Sequence, residues 1–199
     1  PRTPLGKAVE QGGAGAASLP SPDDADSLWL ASRDLLEEAG RDQYEVSNFC
    51  LPGKTCAHNI RYWRMENWLG AGPSASGTII DDKTGTGRRF TYPADIGSYI
   101  RTPPPRPCRR VNHAVVEELG REELIKETLL MGFRYREGPD RELFKQRFGR
   151  EIEELIPKTI ALWRGRGFFQ TGRGLKPSKN GLLFVNGFLR DAFGEMDYD

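Results

Sequence analysis

The chain has 199 residues, enough for one large domain or two small ones with a real core. Its 37% hydrophobic and 10% aromatic content is that of an ordinary soluble protein. Twenty-nine basic against 28 acidic residues leave a formal charge of +1, so no overall field marks it as a nucleic-acid or membrane binder. No apolar run approaches the roughly 18 residues of a spanning helix, and "PRTPLGKAVEQGG" lacks the apolar core of a signal peptide. Cys50, Cys56 and Cys108 are too few and too odd in number for a disulfide scaffold and fit a reducing cytoplasm. The first residue is Pro1, so a piece of a longer protein is expected.

In chain order, "GKAVEQGGAGAASLPSPDDADS" is a small, polar stretch expected to be a loop. Asp23, Asp24 and Asp26 then cap a helix predicted from near Ser27, with Leu28, Trp29, Leu35, Leu36 and Ala39 as its apolar stripe and Gly40 as its stop. "YEVSNFC", residues 44–50, alternates as a strand should, and a helix followed by a strand is the unit of an α/β sheet. Pro52-Gly53 predicts a turn, "NWLGAGPSASGTII" a strand entering a Gly-rich turn, and "DDKTGTG" a hairpin tip leading into "RRFTY". "PADIGSYI" reads as a short helix, and "RTPPPRPCRR", with four prolines, as an interdomain linker.

Beyond the linker the pattern turns helical. Leu124, Ile125, Leu129 and Met131 recur at helical intervals. A second helix carries Leu143, Phe144 and Phe148 inward and stops at Gly149. A third puts Ile152, Leu155, Ile156, Ile160 and Trp163 on one face, and Pro157 in its interior predicts a kink or a late start. "FFQTG" and "GLKPS" are suited to pair as a short hairpin. A last helix carries Leu182, Val185, Leu189 and Phe193. Three helices, a hairpin and a final helix make a winged-helix-like module.

The chemistry-bearing residues each admit a plain reading. His58, in "CAHNIRYW", could ligate a metal or haem iron through a ring nitrogen, or stack on Tyr62 or Trp63 and cap a loop. Cys50 and Cys56 match no zinc or iron–sulfur spacing. In "GAGPSASG", Gly70, Gly72 and Gly77 would let backbone amides approach a ligand, or simply form a tight turn; neither the P-loop nor the dinucleotide fingerprint is matched. From Arg164 to Lys179, the cations Arg164, Arg166, Arg173, Lys176 and Lys179 have no acid among them, which suits a solvated wing or contact with phosphates. No Ser-His-Asp set, Cys-His set or compelling carboxylate pair declares itself.

"YEVSNFCLPGKTCAHNIRYWRMENWLGAGPSASGTI" resembles the segment after the catalytic barrel in the radical S-adenosylmethionine (SAM) family of oxygen-independent coproporphyrinogen III oxidases (HemN) and haem chaperones (HemW). That family writes this region as "YEISNF", a Pro-Gly turn, "HNxxYW" and a "YLGxGPSAHS"-like loop. "PRTPL" resembles its "PGTPL" upstream. "LMGFRYREG" resembles its "LxxLRxxxG", and "LKPSKNGLLFVNGFL" its "LTxxGxxxxNxV", with a small divergence in the wing.

The resemblance implies an α/β fold: the C-terminal strands and helices of a partial TIM-like radical SAM barrel, then a small winged-helix-like α+β domain. The implied division is 1–102 for the barrel end and post-barrel sheet, 103–112 for the linker and 113–199 for the C-terminal domain. It also implies a [4Fe–4S] cluster held by "CxxxCxxC" and a bound SAM in the full-length protein, with the cofactor carrying the hard step. No such motif occurs here; its cysteines and the "GGGTP" loop would lie upstream of Pro1, so the chain alone is expected to hold no cluster and perform no radical chemistry. By carry-over, His58 is the haem-ligand candidate, with Asn59, Tyr62 and Trp63 shaping its pocket. Gly72, Ser74 and Ser76 lie on the SAM side, although Ser76 replaces the family's His or apolar residue. "HNIRYW" points to the haem-binding chaperone branch. Oxidative decarboxylation of coproporphyrinogen III to protoporphyrinogen IX is the alternative, and a nucleic-acid-binding winged helix a weaker one. The expected partners are haem or a porphyrinogen and a haem-acceptor protein, in the cytoplasm, with no nucleic acid and no integral membrane segment.

Overall fold

The computed structural model describes residues 3–12, 19–101, 115–172 and 174–197. Helix α1 (Pro4–Glu10) is capped by Thr3, whose hydroxyl accepts the Gly6 N–H at 3.1 Å. Helix α2 (Pro22–Glu38) begins earlier than the expected Ser27. Ser21 accepts the Asp24 N–H at 3.1 Å, and Pro22 takes the first position, where no N–H is needed. Asp23 and Asp24 therefore lie in the first turn, Asp26 lies beyond it, and Ser21 is the cap. Gly40, at φ 72°, ends the helix as expected. The stripe does not turn inward, however: Leu28 and Leu35 are 59% and 67% exposed, and Trp29, itself exposed, meets the Phe49 ring at 6.2 Å. Arg33 is the buried residue of α2.

The strand expected over 44–50 is instead a tight hairpin of β1 (Asp42–Gln43) and β2 (Phe49–Cys50). The chain reverses between them because the Glu45 carboxylate accepts the Ser47 N–H at 3.1 Å and the Tyr44 N–H bonds the Asn48 carbonyl. Such local side-chain bonds compete with strand pairing. The turn at Gly53 leads to helix α3 (Ala57–Trp63), an element that the sequence pattern did not announce. Strands β3 (Ser76–Asp81) and β4 (Thr86–Thr91) form the expected hairpin, tipped at 82–85. The Gly-rich turn precedes β3 and does not follow a strand; Trp68 merely bridges Thr78. After the expected helix α4 (Ile96–Arg101), the linker and Cys108 lie outside the described residues. Strand β5 (Val115–Leu119) pairs with β4, so the chain beyond the linker completes the sheet begun before it.

Helices α5 (Arg121–Gly132) and α6 (Arg141–Phe148) form where the periodicity places them, and Gly149, at φ 61°, closes α6. Met131 and Leu143 are only half-buried. The third helix starts late: α7 (Ile152–Leu155) breaks at Ile156, and α8 (Pro157–Gly165) opens on the proline. Phe169 and Pro177 form a single bridge in place of a ladder. A 3₁₀ turn (Gly181–Phe184) then leads into α9 (Val185–Asp197). The core is aromatic: Phe168 stacks on Phe188 at 4.4 Å, with Phe133 and Trp163 edge-on around them. In the basic stretch, Arg164 and Arg166 lie over the Phe169 and Trp163 rings, and Lys176 and Lys179 pair with Glu137 and Glu37. The class is mixed α/β, with antiparallel sheets and no closed barrel among the described residues.

One buried cation joins these layers. Arg147 of α6, its side chain 4% exposed, donates from Nε to Asp82 at 2.7 Å and from both terminal nitrogens to the Met65 carbonyl at 3.3 Å. Across the same boundary Arg89 of β4 grips Glu127 of α5 through two bonds, at 2.9 and 2.6 Å.

Replacing Arg147 with Leu removes the donors of a buried carbonyl and of a half-exposed carboxylate. Urea unfolding should show a loss of about 2–4 kcal/mol. Glu195 of α9 offers a second test, because its carboxylate accepts the Lys158 and Thr159 N–H groups at 2.8 and 2.7 Å and so caps α8 from outside. Burial pushes this carboxyl's pKa up, but the bonds from Thr159 and Lys158 outweigh it and hold it below the ordinary glutamate range. Its stabilisation is present above that range and is lost as pH falls through the folded value. Glu195→Gln should cost about 0.5–1 kcal/mol near neutral pH, with the gap to wild type closing in acid.

Candidate functional site

Cys56, with extended backbone, starts α3 and sets the helix phase. His58 and Tyr62 fall four residues apart on one face, and Asn59 and Trp63 on the next. The exposed His58 imidazole meets the Tyr62 ring edge-on at 4.9 Å and 89°. Tyr62 in turn meets Trp68 at 5.1 Å. A relay of three rings therefore runs from an open imidazole to Trp68, whose backbone is pinned to Thr78 of β3 by bonds of 3.1 and 2.9 Å. The exposed imidazole makes no hydrogen bond or ion pair among the described residues. Asn59 donates to the Tyr44 hydroxyl at 3.4 Å, tying α3 to the first hairpin. Trp63 is half-buried, and its indole N–H is buried without an acceptor among the described residues.

Of the two plain roles open to His58, the ring contact with Tyr62 forms. Its place inside α3, beyond the first residue, excludes the loop cap. Trp63 shares the helix but makes no ring contact with His58 among the described residues.

The Gly-rich loop closes on itself. Gly72, at φ 119°, gives its N–H to the Tyr99 hydroxyl at 3.0 Å, and Ser74, at φ 62°, gives its own to the Pro93 carbonyl at 3.1 Å. The Ala75 N–H returns to the Gly72 carbonyl, and the Ser76 and Thr91 hydroxyls share a bond of 2.7 Å. A Cβ on Gly70 would stand 2.3 Å from the Ser76 carbonyl oxygen, so glycine is needed for that close approach. The Gly72 amide expected to face a ligand, with those of Ser74 and Ala75, is thus engaged by the protein, as in an ordinary tight turn. Behind the loop Tyr92 packs edge-on to Tyr99 at 5.2 Å, and burial pushes its phenol pKa up.

A cluster does not fit the residues present. Cys50 is half-buried and Cys56 exposed, and no group of three or more His, Cys, Asp or Glu side chains suited to a metal ion occurs among the described residues. Three contributors escaped sequence reasoning: Trp68, Tyr44 and Tyr99. Tyr44 and Trp68 stand in quoted motifs flanking "HNIRYW", so their place in sequence was a usable signal. Tyr99 meets Gly72 across 27 positions, and nothing local announces that pair.

Comparison with known proteins agrees with this architecture. Residues 119–184 match the HemN C-terminal domain family. The heme chaperone HemW of Lactococcus lactis subsp. lactis is 30% identical over 174 residues, covering 83% of this chain and 43% of that protein. The mitochondrial radical S-adenosyl methionine domain-containing protein 1 of Mus musculus is 31% identical over 196 residues, covering 90% and 43%. The chain therefore spans less than half the length of these relatives. The solved structure of coproporphyrinogen III oxidase (HemN) from Escherichia coli, described as a radical SAM enzyme, superposes with a TM-score of 0.61 at 16% identity, covering 88% of this chain and 42% of that one, a likeness of fold. The chain belongs to the HemN- and HemW-like radical SAM family and corresponds to its C-terminal part.

Proposed function

We propose that this chain is the haem-facing C-terminal part of a haem chaperone of that family, with His58 as the ligand offered to haem iron. The observation that carries the reading is the exposed imidazole, free of hydrogen bonds among the described residues and held edge-on by Tyr62 within the "HNIRYW" motif. A neutral imidazole suits iron, and the Tyr62–Trp68 pair offers aromatic surface to a flat apolar macrocycle. Asn59 and Trp63 complete the surroundings, with the Trp63 N–H as a donor in reserve. Relatives named as heme chaperones in Lactococcus lactis and Bacillus subtilis support this branch.

In the longer protein the cluster and SAM would supply radical chemistry. The cluster's ligands would come from other residues, since those described do not fit it, and Gly72, Ser74 and Ser76 would lie on the SAM side. The organisation proposed is a barrel end and sheet over 1–102, a linker over 103–112 and a winged-helix-like domain over 113–199. The acceptor would be a haem-receiving protein. No described helix is long and apolar enough to cross a membrane, and the proposed compartment is the cytoplasm, although the mouse relative is named as mitochondrial. The oxidase reading is favoured by the likeness of fold and by the match to the HemN C-terminal domain family.

Titrating the chain with ferric haem and following the Soret band tests this. Wild type should saturate with a shifted band, and His58→Ala should abolish the shift while changing stability by no more than about 0.5 kcal/mol, because the side chain is exposed. Binding indifferent to the substitution, or none, returns His58 to a structural role and moves the decarboxylase reading to the front.

A further inference from the structure

Helix α3 turns one ridge to solvent. His58, Arg61 and Arg64 follow one another at three-residue steps and are exposed, whereas Asn59, Ile60, Tyr62 and Trp63 between them are half-buried. Arg64 caps the helix and keeps right-handed helical backbone, at φ −87° and ψ 0°, so the row runs on through it. Residues three apart are neighbours on a helix surface, with Cβ atoms about 5–6 Å apart, so the three side chains leave α3 side by side.

The cations of this ridge are not committed to local acids. Residues 46–65 contain Lys54, Arg61 and Arg64 and no Asp or Glu, on a chain whose formal charge is only +1. The Arg64 side chain makes no hydrogen bond or ion pair among the described residues. Arg61 has one partner there, Glu66, at 3.9 Å between two exposed side chains. An ion pair this long and this open holds a guanidinium weakly. Arg89 and Arg147, by contrast, are committed to Glu127 and Asp82 at 2.6 and 2.7 Å.

One imidazole beside two free guanidiniums matches a ligand with one metal centre and two carboxylates. A guanidinium offers paired N–H bonds in the geometry that a carboxylate accepts. Haem carries iron at its centre and two propionate carboxylates on one edge. We infer that Arg61 and Arg64 bind the propionates of the haem whose iron His58 receives, and so orient the ring along α3 and select porphyrins with free carboxylates. The inference rests on the haem reading of His58 and deepens it, since that reading needs only the imidazole.

The 199-residue chain is titrated with ferric haem and with ferric haem dimethyl ester, in one buffer and detergent, following the Soret band. Wild type should bind haem about tenfold or more tighter than the ester, which has lost both carboxylates. Arg61→Gln and Arg64→Gln should each weaken haem by about threefold to fivefold, and the double variant by about tenfold or more. The ester should bind all of them alike, and the saturated band should stay at its wild-type position because His58 remains. Arg190→Gln, an equal loss of exposed charge on α9, should change neither affinity, which separates a propionate contact from general attraction. Thermal unfolding checks that the variants fold, and the comparison of haem with ester on wild type needs no variant. If haem and ester bind wild type equally, or the double variant binds haem as wild type does, while the His58-dependent band persists, the inference falls and the haem reading stands. If wild type gives no His58-dependent band, the two fall together.

Discussion

The relation between α3 and the rest of the molecule depends on one buried guanidinium. Arg147 binds the Met65 carbonyl two residues past α3 and the Asp82 carboxylate at the tip of the β3–β4 hairpin. A charge at 4% exposure is unfavourable unless its donors are matched, so the geometry holds only while both partners are in place. Met65 is itself 1% exposed and sits at φ 51°, a conformation unfavourable for a side-chain-bearing residue and sustained only by its surroundings. Gly85 completes the joint, since a Cβ there would stand 2.8 Å from the Arg147 carbonyl oxygen.

That constraint has a direct bearing on the site. A seven-residue helix is far below the length at which helices persist alone in water, so α3 owes its order to tertiary contacts. The Arg147 clamp fixes its C-terminal exit, Trp68 pins the following residues to β3, and Asn59 reaches back to Tyr44. The imidazole is left on the open side of this frame. A fixed histidine that lacks internal hydrogen bonds suits the reception of a ligand, whereas one buried and doubly bonded would serve the core.

Much of the fold was legible residue by residue. The Leu124–Leu129 and Phe144–Phe148 spacings, the stop at Gly149, the break before Pro157 and the hairpin at 82–85 all follow from local periodicity and turn chemistry, and all appear. The α2 stripe was misread because periodicity reports amphipathicity and not what covers it. The strand over 44–50 was misread because a single carboxylate, Glu45, turned an alternating segment back on itself. In the site, the "HNIRYW" motif places His58, Asn59, Tyr62 and Trp63 close in sequence, but only a helix puts His58 on Tyr62 and keeps it off Trp63. The Gly-rich loop looked open to a ligand in sequence, yet its amides close on Tyr99 and Pro93, partners 27 and 19 positions away.

The sequence by itself determined the helical module, the turns and the family's motif, because these depend on residues within a turn or two of one another. Tertiary structure alone decided that β5 joins the sheet of β4 across the linker, that Arg147 is the joint between layers, and that His58 is exposed. Each of these rests on pairings between distant segments, such as the 82 positions from Met65 to Arg147, and no local pattern encodes which buried donor will meet which carbonyl.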